Sequence, residues 1–200
     1  MVLKTLSFII IFFLGSAITS SEWREPIIKE STVFLASESY LKIKGKTNVS
    51  KFECHFDMNT ISEAISIKYK DHDETIKFDD TQLILPNVEF NCGGKIINKD
   101  FNNLLNTDQF PEIILKLKEI SKSQLADDLV TATVEINISN VIKTYTIPIS
   151  ITSNQGLHAS GRMPLDINDF NLTAPTKMLG MVKVLPEIEI QFSLKILGFN

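Results

Sequence analysis

Alternation of apolar and polar residues at a period of two constrains this chain more than any other feature. In "EIEIQFSLKI" (187–196), Ile188, Ile190, Phe192, Leu194 and Ile196 fall on one side and Glu187, Glu189, Gln191, Ser193 and Lys195 on the other. Only an extended backbone turns every second side chain to the same face, so this stretch reads as a strand with one dry face and one wet face. The same rhythm recurs from residue 31 onward in "YLKIKG" (40–45), "AISIKYK" (64–70), "VTATVEINIS" (130–139) and "TIPISIT" (146–152). In "PEIILKLKEI" (111–120), Ile113, Leu115 and Leu117 alternate with Lys116 and Lys118, and Pro111, which has no N–H, fits only at the first residue or at an edge. Weaker strands are expected at 74–78, 82–90 and 157–167, separated by turn signals such as "KDHDE", "FDDT" and "SNQG". One-sided strands in this number imply antiparallel sheets around a shared interior, a sandwich or a barrel.

One helix interrupts the pattern, in "NKDFNNLLNTDQF" (98–110). Asn98 is expected to cap it, and Phe101, Leu104 and Leu105 form a single apolar stripe. The helix leads into Phe110-Pro111, so two placements are open. Phe101, Leu104, Leu105 and Phe110 plug or rim one mouth of a barrel, or the helix lies on the outer wall.

With 44% hydrophobic residues in 200 and a net charge of −4, the chain can bury a core as one domain without a metal or a dense disulfide framework. The charge is spread, and no block of lysine or arginine offers itself to phosphates, which argues against a nucleic-acid partner. Residues 1–20, with Lys4, an apolar run from Leu6 to Leu14 and then Gly15, Ser16 and Ala17, read as a cleaved signal peptide. The run is too short for the ~20 residues of a membrane-spanning helix. Cleavage after Ala17 or at Thr19 to Ser21 suits the small-residue rule equally. The expected product is a single domain over 21–200, periplasmic or secreted, with no stable membrane insertion. In that oxidising setting Cys54 and Cys92, each at a strand end, are expected to be bridged. No C-x-x-C accompanies them to indicate a redox pair.

Catalytic signatures are sparse. His55, His72 and His158 are isolated, with no metal-ligand spacing, and there is no G-x-S-x-G, P-loop or G-x-G-x-x-G. Neither a cofactor nor an enzymatic function is expected, and the oligomeric state is not legible.

Three stretches in order, "LLNTDQFPEIILKL", "TVEINISNVIKTYTIPISI" and "MPLDINDFNLTAPTKMLGMVKVLPEIEIQFSLKI", resemble the YceI family over about residues 40–197. The cysteine pair and the strand running from Thr47 to Cys54 resemble a secreted, two-cysteine subgroup. Asn140 stands where the family often has glycine in a hairpin, a position that still suits a turn. The resemblance implies an all-β fold, an antiparallel eight-stranded lipocalin-like barrel with one short helix. It further implies non-enzymatic binding of an apolar chain lipid (polyisoprenoid, quinone or fatty-acid-like) in the interior, for carriage or sequestration. The residues expected to line that interior are Phe52, Leu104, Phe110, Leu115, Leu117, Ile136, Ile149, Phe170 and Phe192. The same large side chains allow the alternative of a structural or interaction barrel with a filled core and no ligand. Lys177 or Arg162 would be placed to meet a polar head group, if the ligand has one.

Overall fold

The computed structural model describes residues 27–122, 128–153, 156–177 and 181–198. The expected signal segment therefore lies outside the described residues. In chain order the elements are β1 (Ile28–Leu35), β2 (Tyr40–Lys46), β3 (Lys51–Phe56), β4 (Ile65–Asp71), β5 (Thr75–Asp79), β6 (Gln82–Pro86) and β7 (Phe90–Asn91). They are followed by α1 (Lys95–Leu104), β8 (Glu112–Ser121), β9 (Leu129–Ile138), β10 (Val141–Thr152), β11 (Leu157–Asp166), β12 (Thr176–Lys177), β13 (Val182–Lys183) and β14 (Glu187–Leu197). Short 3-10 turns occupy Met58–Thr60, Asn87–Glu89 and Ile167–Phe170.

Eight strands close on themselves. The antiparallel order β1, β4, β5, β8, β9, β10, β11, β14 returns to β1 through the pairs Phe34 with Leu197 and Leu35 with Ile196. Closure removes the exposed edges that an open sheet would offer to other chains. The fold is thus the all-β, eight-stranded antiparallel barrel with one helix. Rows of inward side chains run around it: Ile149 faces Gly161, Gly161 faces Phe192, and Phe192 faces Leu41.

The barrel is not the same at its two ends. β14 pairs with β1 near its C-terminus but with β2 over Glu189 to Ser193. Similarly, β8 pairs with β5 at its C-terminal end and with β6 over Glu112 to Lys116. Strands β2, β3, β6 and β7 therefore build one end, and β1, β4 and β5 complete the other. At the first end β7 pairs with β3 and β6 with β8, and the Asn87–Glu89 turn crosses between the two pairs.

Local chemistry explains several details. The β9–β10 connection is the two-residue turn Ser139-Asn140, both at positive φ (48° and 62°), the conformation whose twist matches a tight hairpin. In β8 the register slips between Leu117 and Glu119. Strict alternation would turn Ile120 outward after Leu117; the bulge inserts Lys118 and returns Ile120 to the inner face, opposite buried Ala132. Residues 82–90, expected as one strand, are instead β6, a 3-10 turn and β7. Pro86 lacks the N–H that would continue the ladder, and the turn begins immediately after it.

Candidate ligand-binding site

Helix α1 sits at the end of the barrel built by β2, β3, β6 and β7. Its start differs from the expectation: Gly94 occupies the N-cap, while Asn98 lies within the helix and its side-chain oxygen accepts the Cys92 N–H at 2.7 Å. Gly93, with φ of 89°, provides the turn that a side chain would strain. The stripe is longer than anticipated, because Ile97 joins Phe101, Leu104 and Leu105 at helical spacing, and all four pack on the core. The helix ends at Leu105, whose carbonyl accepts the hydroxyl of Ser139 at 2.7 Å, and Asn106 takes the left-handed conformation that stops it. A bond from the β9–β10 turn to the helix end places α1 over the barrel mouth.

Phe110-Pro111 is the hinge of this cap. Asn87, almost wholly buried, donates from its side-chain amide to the Phe110 carbonyl at 2.8 Å and to the Thr107 hydroxyl at 3.1 Å. Its backbone N–H donates to the Pro111 carbonyl at 2.8 Å. The chain thereby leaves the helix, passes over the 87–89 turn and enters β8 with its polar backbone paired.

Beneath the helix lies a cavity of about 690 Å³, lined by Phe52, Cys54 and Cys92, by Lys95, Ile96, Ile97, Asp100, Phe101 and Leu104 of α1, and by Gly94, Thr47, Pro175, Val182 and Val184. Its wall is predominantly apolar. Phe52 and Cys54 belong to the inner face of β3, since their strand partners Gly45 and Ile43 are buried, so the cavity opens on the inner side of the hairpin. The disulfide between Cys54 and Cys92, with Cα atoms 3.9 Å apart, ties β3 to the approach of α1 and forms part of this wall. A second cavity of about 490 Å³, more polar, is lined by Leu104, Phe110, Val141, Phe170 and neighbouring Asn and Thr side chains.

The expected lining residues divide between these places. Phe52 and Leu104 line the larger cavity, and Leu104, Phe110 and Phe170 line the smaller. Phe170 belongs to the 167–170 turn, nearly fully buried, with its ring stacked on Tyr145 at 6.3 Å. Leu115, Leu117, Ile136, Ile149 and Phe192 lie on the inner wall of the barrel. Ile136 and Ile149 are buried, but Leu115, Leu117, Val134, Ile151, Phe192 and Leu194 are only half-buried although they face inward. On the opposite wall Val33 and Ile67 are buried on inward faces yet stand apart from the continuous apolar cluster. An interior at close packing would join these walls. Arg162 is exposed on the outer face of β11, opposite Gln191, and faces neither cavity.

The electrostatics of the site are quiet, with one exception. Tyr145 donates to a carboxylate oxygen of Asp169 at 3.1 Å, and its phenol is pushed up to about 12 by burial, by that hydrogen bond and by the charges of Asp169 and Asp166. Among the described residues no three or more His, Cys, Asp and Glu side chains gather as metal ligands, and no helix is long and apolar enough to cross a membrane.

A closed antiparallel barrel with a helix across one mouth, a cross-strand disulfide and an apolar cavity under the helix defines a barrel of the lipocalin-like kind. The chain belongs to the YceI-like domain family, whose model matches residues 89–196. No curated protein matches the chain. Among solved structures it is similar to a polyisoprenoid binding domain from Saccharophagus degradans implicated in plant cell wall breakdown, at 12% identity and a TM-score of 0.60, over 86% of this chain and 100% of that one. It is also similar to BcnA of Burkholderia cenocepacia, at 17% identity and a TM-score of 0.56, over 79% and 95% of the two chains. At such identities the likeness is one of fold. The cavity under α1 and the bulge at Lys118 carry no short motif in the sequence; the glycines opposite Phe52 and Phe192 are the one local signal that large side chains lie across the strands.

Proposed function

We propose that this protein binds an apolar, chain-shaped lipid, of the polyisoprenoid, quinone or fatty-acyl type, and carries or sequesters it outside the cytoplasm after loss of its N-terminal signal segment. The observation that carries the reading is the apolar cavity of about 690 Å³ under α1, a volume within the ordinary range of ligand sites. Each CH₂ moved from water into such a wall contributes about 0.8 kcal/mol, so a chain ligand needs few polar contacts to be held. The half-buried inward side chains of Leu117, Val134 and Phe192 support extension of the ligand into the barrel. The polyisoprenoid-binding activity in the name of the Saccharophagus relative supports the same class of cargo. The role is binding without catalysis, and no step in it calls for a cofactor.

Native mass spectrometry of protein purified from cells tests the proposal. Retention of a lipid that organic extraction releases is the expected result. Repeated recovery of empty protein, together with no uptake of polyprenols or fatty acids added in solution, overturns it.

A further inference from the structure

The mouth of the cavity has an apolar rim and a local charge that holding a ligand does not require. Val49 at the β2–β3 turn, Ile96 in the first turn of α1 and Met181 just before β13 are 69%, 77% and 64% exposed. Ile96 itself lines the cavity, together with Thr47 and Val182 from the other two segments. Asn48 locks those two segments together. Its side-chain amide donates to the Met181 carbonyl at 2.8 Å, its side-chain oxygen accepts the Lys183 N–H at 2.9 Å, and its own N–H donates to the Lys183 carbonyl at 3.1 Å. The exposed apolar tips are therefore held in place around one opening.

Charge surrounds the same opening. Lys46, Lys51, Lys95, Lys99 and Lys183 are all exposed on these three segments, and none forms an ion pair among the described residues. Several lysines elsewhere on the barrel wall are paired, Lys42 and Lys44 with Glu53, Lys68 with Glu30, Lys70 with Asp79 and Lys195 with Glu38, whereas Lys116, Lys118 and Lys143 stand singly along β8 and β10. Among the described residues, Asp100 is the one carboxylate lining the cavity. At the opposite end the β4–β5 turn carries Asp73 and Glu74, while Asp71 there pairs with Lys29 and Lys122. In a protein of net charge −4, the cavity mouth thus gathers five lysines, unpaired among the described residues, around exposed apolar side chains. A second copy would set lysines against lysines there, whereas an anionic bilayer offers both phosphates for the lysines and an apolar layer for the tips.

We propose that this end docks on an anionic lipid bilayer, with Val49, Ile96 and Met181 entering the interface and the lysines against the head groups, so that the cavity opens toward the membrane that supplies its cargo. This rests on the lipid-binding reading, and the test separates the two. The full chain is compared in two assays with a Val49→Ser/Met181→Ser variant and a Lys51→Glu/Lys99→Glu/Lys183→Glu variant, both altered outside the cavity lining. One is co-sedimentation with vesicles of phosphatidylcholine alone or with phosphatidylglycerol at three parts in ten. The other is binding of a dansylated fatty acid without vesicles. All three proteins are purified from the same cells with the same N-terminus, so differences between variants report the α1 end.

The expected result is salt-sensitive binding to the anionic vesicles, weakened about tenfold or more in both variants, with the soluble probe still bound. Probe binding without vesicle binding, or vesicle binding that neither variant weakens, overturns the docking and leaves the lipid reading standing. Vesicle binding without probe binding overturns the lipid reading and with it the loading role.

Discussion

The ring of Phe52 lies across Gly45 of the neighbouring strand, so closely that a Cβ on the glycine would stand 2.2 Å from the tip of the ring. The glycine is what allows the aromatic ring to lie flat on the inner face, and the ring in turn walls the cavity under α1. Phe192 repeats the arrangement over Gly161, where an added Cβ would meet its ring at 2.7 Å.

Gly45→Ala is therefore expected to rotate the Phe52 ring into the cavity. The ring has empty space to enter, so the stability loss is expected near the low end of the ~1–3 kcal/mol typical of overpacking. Lipid affinity is expected to fall by about tenfold, roughly the effect of losing one or two CH₂ contacts. Urea denaturation and probe titration of the same variant check the two halves. Unchanged affinity with a large loss of stability would mean that the ring has nowhere to go.

Replacing both Cys54 and Cys92 by serine removes the tie between β3 and the start of α1. For a sequence separation of 38 residues, the chain-entropy model gives a loss of about 4 kcal/mol. Denaturation of the native protein with and without reductant is expected to reproduce the difference. The variant is also expected to lose lipid affinity, because both residues belong to the cavity wall.

How much of this was legible beforehand depends on the range of the interaction responsible. Strands β2, β4, β9 and β14 are written in side-chain alternation, a local property, and their observed ranges lie close to the expected ones, whereas β10 begins at Val141, five residues before the alternation at 146–152. The placement of Ile120 is not, because the bulge at Lys118 is set by pairing with β9. Asn98 looked like a cap because it precedes the stripe Phe101, Leu104 and Leu105, but it serves the Cys92 N–H across a turn instead. The stripe itself correctly announced a helix with something to cover. What it covers, a cavity floored by the β2–β3 hairpin together with Pro175, Val182 and Val184, arises from segments more than a hundred residues apart and has no local signature.

Tyr145 offers a pH-dependent check on the α1 end. Its pKa in the folded protein is pushed up to about 12 by burial first and then by Asp169 and Asp166, whereas an unfolded tyrosine titrates near ~10. The folded state holds this proton more tightly, so the contribution to stability is complete below pH ~10 and is lost as pH rises from there through about 12. Ultraviolet titration of phenolate absorbance, taken as the difference from Tyr145→Phe, is expected to show the raised midpoint. Asp169→Asn is expected to bring it down, since the hydrogen bond and the nearby charge weaken together.

Leu117 and Lys116 are neighbours on opposite faces of β8, and the contrast between them tests the barrel wall itself. Leu117 points inward opposite Val134, whereas Lys116 points outward between Gln82 and Glu135. Leu117→Asp places a carboxylate among apolar side chains with no partner, and a loss of about 2–4 kcal/mol is expected. Lys116→Asp sets a like charge beside Glu135 in a solvated setting, which costs about 1 kcal/mol or less. Because Leu117 is only half-buried, water in an unfilled interior would soften the first penalty. Loading the barrel with lipid expels that water, so lipid is expected to stabilise the native protein against urea but not the Leu117→Asp variant. Urea midpoints measured with and without polyprenol for both variants check this, and equal lipid stabilisation in both would place the ligand away from β8.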